Sequence, residues 1–368
     1  MEGPVPLTAS GPGRSMLYVA PVAETARGGA SRHVEGMTAS LRSGGWDVTV
    51  VTPRRRRFGW ASRLGFEAAA VVRVAAHVLT KKPTTVYTRI GPTNLLVLLR
   101  PLFRARGVAF FGELNGPPSV EFLNRPGGAV SSQIVESWIS LQLRASDGVR
   151  CVSPRLVEYA AALGAKNAFH IPNASAIRPV GEDEATTVRP PGPWKLVFAG
   201  VEAPWYELEL WEQVVRESPH WRLLVCTDSR GDAVVRARSA DLIEAGRVQL
   251  HGWLDPEKLR EVLCGADFAL LPLGPKHPTT DVIGSPLKLY DYLRLRLPII
   301  ATTVDGVPRS LEGKGVRFYE FGDKVSAAQC LDNAQRDFAL CREEAAGRDP
   351  SDDGWEKRAI ELSEMLNG

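Results

Sequence analysis

The chain has 368 residues, 44% apolar and 24% charged, with 45 Lys and Arg against 42 Asp and Glu for a formal net charge of +3. That length favours two domains of roughly 100–200 residues each, and the composition is that of a globular protein with material for two cores. So small a charge argues against a dedicated nucleic-acid binder, and no apolar run approaches the ~18–20 residues that span a bilayer.

Residues 1–14 lack a basic stretch followed by an apolar one, so they read as a disordered tail rather than a secretion signal. Cys151, Cys226, Cys264, Cys330 and Cys341 are scattered without C-x-x-C or Cys/His metal spacing. Reduced thiols and a cytoplasmic location are expected.

Order begins at the apolar strand Met16–Pro21, followed by Gly28-Gly29, a helical pattern through Val34, Met37 and Leu41, and a strand over Asp47–Thr52. This β–α–β unit implies parallel strands and a right-handed crossover. Further strands are expected at Thr85–Thr88, Val108–Phe111 and Gly148–Ser153, with helices between most of them. The alternation predicts a doubly wound domain over 15–178.

Residues 179–193 are polar and proline-rich and read as a linker. A second α/β set over 194–350 places strands at Lys195–Ala199, Trp221–Cys226, Val248–His251, Phe268–Leu271 and Ile299–Ala301. Residues 351–368 carry Ala359, Leu362 and Leu366 at helical spacing and are expected to pack back on the first domain. Two such domains face each other across a cleft at the carboxyl ends of their strands, where ligands of these sheets bind.

The segment Ser285–Pro308 sharpens the question. Ser285 suits a helix N-cap, and Pro286 suits the first helical position, where its missing N–H has no intrahelical partner. Lys288 and Asp291 then lie one turn apart. The segment is either an ordinary helix–strand unit with a solvated ion pair or a helix start built to receive an anion. Gly28-Gly29 is either a plain turn or a place where backbone amides approach a phosphate without a Cβ in the way.

Five segments, in order, resemble glycosyltransferases of the GT-B fold, with most similarity to family 4, the large retaining group. They are Gly28–Val34 with Leu41–Thr52; Glu113–Pro117 with Glu121; Val152-Ser153 with Ile171–Asn173; Val248–Trp253 through Ala266–Pro272; and the Ser285 segment. The resemblance implies two Rossmann-like domains and hexosyl transfer from a nucleotide diphosphate sugar to an acceptor hydroxyl. The configuration would be retained, and neither metal nor cofactor would be required.

It assigns donor binding to Gly28, Gly29, Ser285, Lys288 and Asp291, with Lys276 a candidate for the transferred sugar. The acidic residue matching Asp291 takes the ribose hydroxyls in that family, and two carboxylate oxygens suit a vicinal diol. Lys288 and Glu113 are the catalytic candidates, the first for charge growing on the leaving diphosphate and the second for the acceptor hydroxyl. Arg89, Asn115 and Glu121 are expected at the acceptor.

Three positions depart from the family pattern. Ile283 stands where a glutamate is usual, residues 200–208 hold no basic residue, and Arg296 replaces a helix-ending glycine. These departures keep open a catalytically silent nucleotide-sugar-binding module, and a nucleotide-sugar epimerase shares the fold. The dinucleotide fingerprint of an NAD enzyme is missing.

The acceptor class stays open between a small molecule, a glycan and a lipid-linked sugar. Arg54–Arg57 precede a helical stripe through Leu64, Val71, Ala75 and Val78. The stripe either packs on its own sheet, with the arginines solvated, or docks peripherally on the anionic inner membrane face.

Overall fold

The computed structural model describes residues 14–22, 29–53, 60–119, 128–181, 192–203, 205–274, 285–304 and 306–367. The described chain divides into two compact units. One runs through Asn173 and also takes Ser285 and the C-terminal segment from Trp355; the other takes the remainder, from Ala174 to Gly354. Each unit is built on a six-stranded sheet.

The first sheet has the order β2-β1-β3-β4-β5-β6. Its strands are β1 (Ser15–Val19), β2 (Asp47–Val51), β3 (Thr85–Arg89), β4 (Ala109–Leu114), β5 (Gly148–Cys151) and β6 (Ala168–His170). Every pairing is parallel, as crossovers through helices require. Those helices are α1 (Gly29–Ser43), α2 (Trp60–Thr80), α3 (Arg100–Arg106), α4 (Gly128–Ala145) and α5 (Pro154–Ala162).

In α2 the buried stripe is Phe66, Ala70, Val74 and Val78, which packs with Leu17, Val86, Phe103 and Phe110. Packing on the sheet therefore uses Val78 and the half-buried Val71 from the expected stripe, while Leu64 stays exposed and Ala75 half-buried. Arg54–Arg57 lie outside the described residues. Among the described residues, no helix is long and apolar enough to cross a membrane.

The second sheet runs β12-β11-β10-β7-β8-β9, again parallel. Its strands are β7 (Trp194–Ala199), β8 (Trp221–Cys226), β9 (Val248–Leu250), β10 (Phe268–Leu271), β11 (Ile299–Thr302) and β12 (Val316–Tyr319). Its helices are α6 (Leu208–Glu217), α7 (Ser229–Arg238), α8 (Ala240–Glu244), α9 (Pro256–Cys264), α10 (Leu287–Arg294), α11 (Lys324–Arg336) and α12 (Phe338–Ala346). Trp211, Trp221, Phe198, Leu223, Phe268 and Leu331 are at the centre of its core.

Two strands escape the sequence pattern, β6 and β12, and both are short sheet edges. Phe169 and His170 of β6 are exposed, and Arg317 and Phe318 of β12 are half-buried. Edge strands bury less apolar area, so their hydrophobic signal is weak.

The C-terminal helix (Trp355–Asn367) packs along α1 in the first unit. The contact requires Gly36, since a Cβ there would run into the Trp355 indole.

Candidate active site

In the second unit, α10 is clamped to the sheet through its own sequence. Leu289 and Leu293 are buried, and the enclosed Tyr292 hydroxyl accepts the Ala199 N–H at 3.1 Å and reaches Leu270 O at 3.4 Å. Burial drives the Tyr292 pKa upward, so the phenol stays protonated. One side chain thus ties α10 to the carboxyl ends of both β7 and β10.

The helix begins one residue later than expected. Pro286 is the N-cap, in an extended conformation with φ −73° and ψ 120°, and helical geometry starts at Leu287. Ser285 precedes the cap. It is buried, and its carbonyl accepts the Asn173 Nδ2–H at 2.7 Å.

The other end of α10 closes as a Schellman motif. Leu297 N–H reaches Tyr292 O at 3.1 Å, and Arg296 N–H reaches Leu293 O at 2.9 Å. Arg296 occupies the left-handed position with φ 52°, where glycine is the usual residue.

Lys288 lies on the first turn. Its Nζ stands 4.2 Å from the centre of the Phe198 ring and 3.8 Å from that of Tyr206. Phe198 belongs to β7, while Tyr206 belongs to the loop that follows it.

That loop is fastened at several points. Tyr206 bridges Leu273, Gly274 N–H donates to Trp205 O at 2.7 Å, and Glu207 N–H donates to Pro272 O at 3.0 Å. Its two carboxylates are also engaged. Glu202 holds Arg238 at 3.2 Å, and Glu207 accepts the Tyr319 hydroxyl at 3.3 Å and the Gly322 N–H.

Asp291 is buried, and its Oδ1 accepts the Ser175 hydroxyl at 2.6 Å. The Ser175 oxygen in turn accepts the Ile177 N–H at 2.9 Å. Sequence reasoning gave no role to Ser175, because nothing local in an Asn-Ala-Ser-Ala stretch distinguishes it.

In the first unit the polar centre is Glu113, at the end of β4 and wholly enclosed. Its Oε2 accepts from His33 Nε2 at 3.0 Å, Tyr87 Oη at 3.0 Å and Arg150 Nη1 at 3.1 Å. Its Oε1 accepts from Asn115 Nδ2.

Burial alone would raise the Glu113 pKa. The adjacent imidazole and the charges of Arg150 and Arg89 outweigh burial and hold it well below the usual carboxylate range. Burial also pushes the His33 pKa down, against the pull of Glu113, and its Nε2–H donates to the carboxylate.

A carboxylate so enclosed and so weakly basic is poorly suited to take a proton from an acceptor hydroxyl, because a general base works best with a pKa near the operating pH. Glu113 orients the groups around it.

Arg89, at the end of β3, is in register with Glu113 across the sheet and is half-buried. Asn115 follows in the loop, its amide set by Glu113, and its buried Oδ1 has no hydrogen-bond partner among the described residues. Gly29 is the first residue of α1. Gly28, Glu121 and Lys276 lie outside the described residues.

Arg150 completes the cluster. It also donates to Ile171 O at 2.9 Å, Pro172 O at 2.8 Å and Asn173 Oδ1 at 3.2 Å. Trp355 covers it, with the guanidinium 5.6 Å from the indole centre and His33 edge-on at 4.8 Å. The signal for Arg150 was legible: a lone arginine inside the apolar strand Gly-Val-Arg-Cys-Val needs a buried anion.

Residues 195–336 match the family model described as Glycosyl transferases group 1. The matched segment lies in the second sheet and its helices. A search of curated proteins finds no match to the chain.

Solved structures resemble the chain over nearly its whole length. Sucrose-phosphate synthase from Thermosynechococcus elongatus superposes with a TM-score of 0.72 at 16% identity, covering 96% of this chain and 98% of that one. A glycosyltransferase from Rickettsia africae ESF-5 gives 0.69 at 12% identity, over 97% and 98% of the two chains. Anabaena Alr3699/HepE in complex with UDP-glucose gives 0.67 at 13%, over 96% and 99%. At these identities the likeness establishes the fold, which is GT-B: two α/β domains, each on a parallel sheet.

Proposed function

We propose that the chain transfers a sugar from a nucleotide diphosphate sugar to an acceptor hydroxyl, with retention of configuration and without a bound metal. One observation carries the reading: the Lys288 ammonium is held over Phe198 and Tyr206, at the carboxyl end of β7 and on the first turn of α10.

Cleavage of the anomeric C–O bond puts negative charge on the diphosphate while the sugar becomes oxocarbenium-like. Preorganised positive groups contribute most to such a step. The positive end of the α10 helix dipole and the Lys288 ammonium supply them together. Asp291, one oxygen on Ser175, offers its carboxylate to the ribose hydroxyls.

In the first unit, the Asn115 amide, its orientation fixed by Glu113, is the polar group assigned to the acceptor side. Arg89 adds positive charge to the same strand ends. The group 1 family match supports transfer as the reaction class. A UDP-linked sugar is the first donor to try, since the Anabaena relative is complexed with UDP-glucose and a trehalose-6-phosphate relative from E. coli with UDP-2-fluoro glucose.

A panel of UDP-, GDP-, ADP- and TDP-sugars tests the reading by thermal shift and slow donor hydrolysis, since a selective ligand stabilises the fold in proportion to occupancy. One nucleotide series should stand out in both assays. Residues 200–207 hold Glu202 and Glu207 and no basic residue, which favours a second reading, a silent nucleotide-sugar-binding module. Tight binding with no hydrolysis of any donor would select it.

A further inference from the structure

The exit of β7 holds an unusual juxtaposition. Residues 200–207 bring two carboxylates and no cation, so positive charge at this strand end has to come from another element. Helix α10 delivers it. The Lys288 side chain runs directly over the α-carbon of Gly200, so that a Cβ built there would lie 2.7 Å from Lys288 Cε and closer still to Nζ. Real Cβ atoms do not approach other heavy atoms so closely.

Gly200 has a second reason to be glycine. Its φ of +153° is a conformation that L side chains rarely adopt, while its N–H continues the sheet by donating to Cys226 O at 2.9 Å. Phe198 and Tyr206, packed edge to face with centres 5.4 Å apart, both lie against the ammonium, and aromatic rings attract such a cation.

We propose that Gly200, Phe198 and Tyr206 form a cradle that sets the position of the Lys288 ammonium, making Gly200 and Tyr206 positioning residues for diphosphate binding. The cradle leaves the ammonium one seat, over the strand end. A methyl group on Gly200 would push it out, and loss of the Tyr206 ring would let it wander. The functional half of this inference rests on Lys288 as the diphosphate-binding group; the geometric half does not.

Two measurements separate the halves. Limited acetylation of the intact protein with acetic anhydride, read at each lysine by mass spectrometry, reports where the Lys288 amine sits. Titration calorimetry with UDP, GDP, ADP and inorganic pyrophosphate reports binding. In wild type, Lys288 should label several-fold more slowly than the exposed Lys258. Gly200→Ala and Tyr206→Leu should each raise the Lys288 rate several-fold and leave Lys258 unchanged.

The affinity of whichever probe binds should fall about tenfold in each variant. The double variant Gly200→Ala/Lys288→Ala should bind no more weakly than Lys288→Ala alone, because the glycine acts only through the lysine. Unchanged Lys288 labelling in both variants overturns the cradle, and if Gly200→Ala does not fold, unchanged labelling in folded Tyr206→Leu does so by itself. Altered labelling with full probe affinity in Lys288→Ala leaves the geometry standing and overturns the diphosphate role. No binding by any probe in wild type counts against the proposed function alone, since labelling still decides the cradle.

Discussion

Glu113 Oε2 and Arg150 Nη1 stand 3.1 Å apart with both side chains enclosed in the first unit. The pair is the electrostatic anchor of that domain, because Arg150 also donates to the Ile171 and Pro172 carbonyls. Removing one member leaves the other charged and buried, which costs about 3–5 kcal/mol. Arg150→Met should therefore lower stability by that amount in chemical denaturation of the first unit. A loss below about 1 kcal/mol would mean that water reaches the carboxylate.

The same pair gives a pH dependence of known sign. The folded-state pKa of Glu113 lies below its unfolded value, so its contribution is present above the unfolded carboxylate pKa and is lost as pH falls through the folded one. Acid unfolding should move to higher pH in Arg150→Met. Midpoints from circular dichroism over an acid titration measure the shift.

Glu67 runs the other way. It lies inside α2, where burial raises its pKa to about 7 against the opposing effect of the Leu95 N–H. The folded state then holds a proton that the unfolded state has lost, so stability falls as pH rises from about 4.5 to about 7 and stays level beyond. The shift corresponds to at most about 3 kcal/mol. Glu67→Gln should abolish this slope and be the more stable protein at pH 8, as thermal denaturation at pH 5 and 8 would show.

Lys288→Ala should reduce kcat for donor cleavage by about 10²–10³-fold, the usual cost of removing one preorganised charge at a developing anion. The donor KM should change less, because the ammonium meets more charge in the transition state than in the ground state. Steady-state kinetics with the donor selected by thermal shift checks this split. Equal losses in donor binding and in kcat/KM, at unchanged kcat, would make Lys288 a plain binding group.

Arg296 occupies a left-handed position at the end of α10. Glycine there relieves about 1 kcal/mol of backbone strain, offset in part by loss of the Arg296 Nε donation to Arg348 O at 3.1 Å. Arg296→Gly should therefore leave stability unchanged or raise it by up to about 1 kcal/mol. A clear loss in melting temperature would show the side-chain bond to be the stronger effect.

Local pattern carried much of the outcome. The strands that became β1–β5 and β7–β11 were legible because buried parallel strands are continuous apolar runs between helical stripes. The Ser285–Arg296 segment was legible as a helix, and the odd residue at its end turned out to occupy a left-handed position. The helix start was misplaced by one residue, since Pro286 is the N-cap and the Ser285 carbonyl is held by Asn173. That bond joins positions 112 residues apart, and no local rule foresees it.

By itself the sequence determined the alternation of strands and helices, the two-sheet organisation and the chemical inventory at the strand ends. These follow from periodicity and turn chemistry, which act over a few residues. Only the tertiary structure decided what each polar group faces. It enclosed Glu113 among Arg150, His33 and Tyr87, set Ser175 on Asp291, and laid Lys288 across Gly200. Burial and charge pairing depend on residues brought together from distant parts of the chain, and those contacts exist only once the sheets have formed.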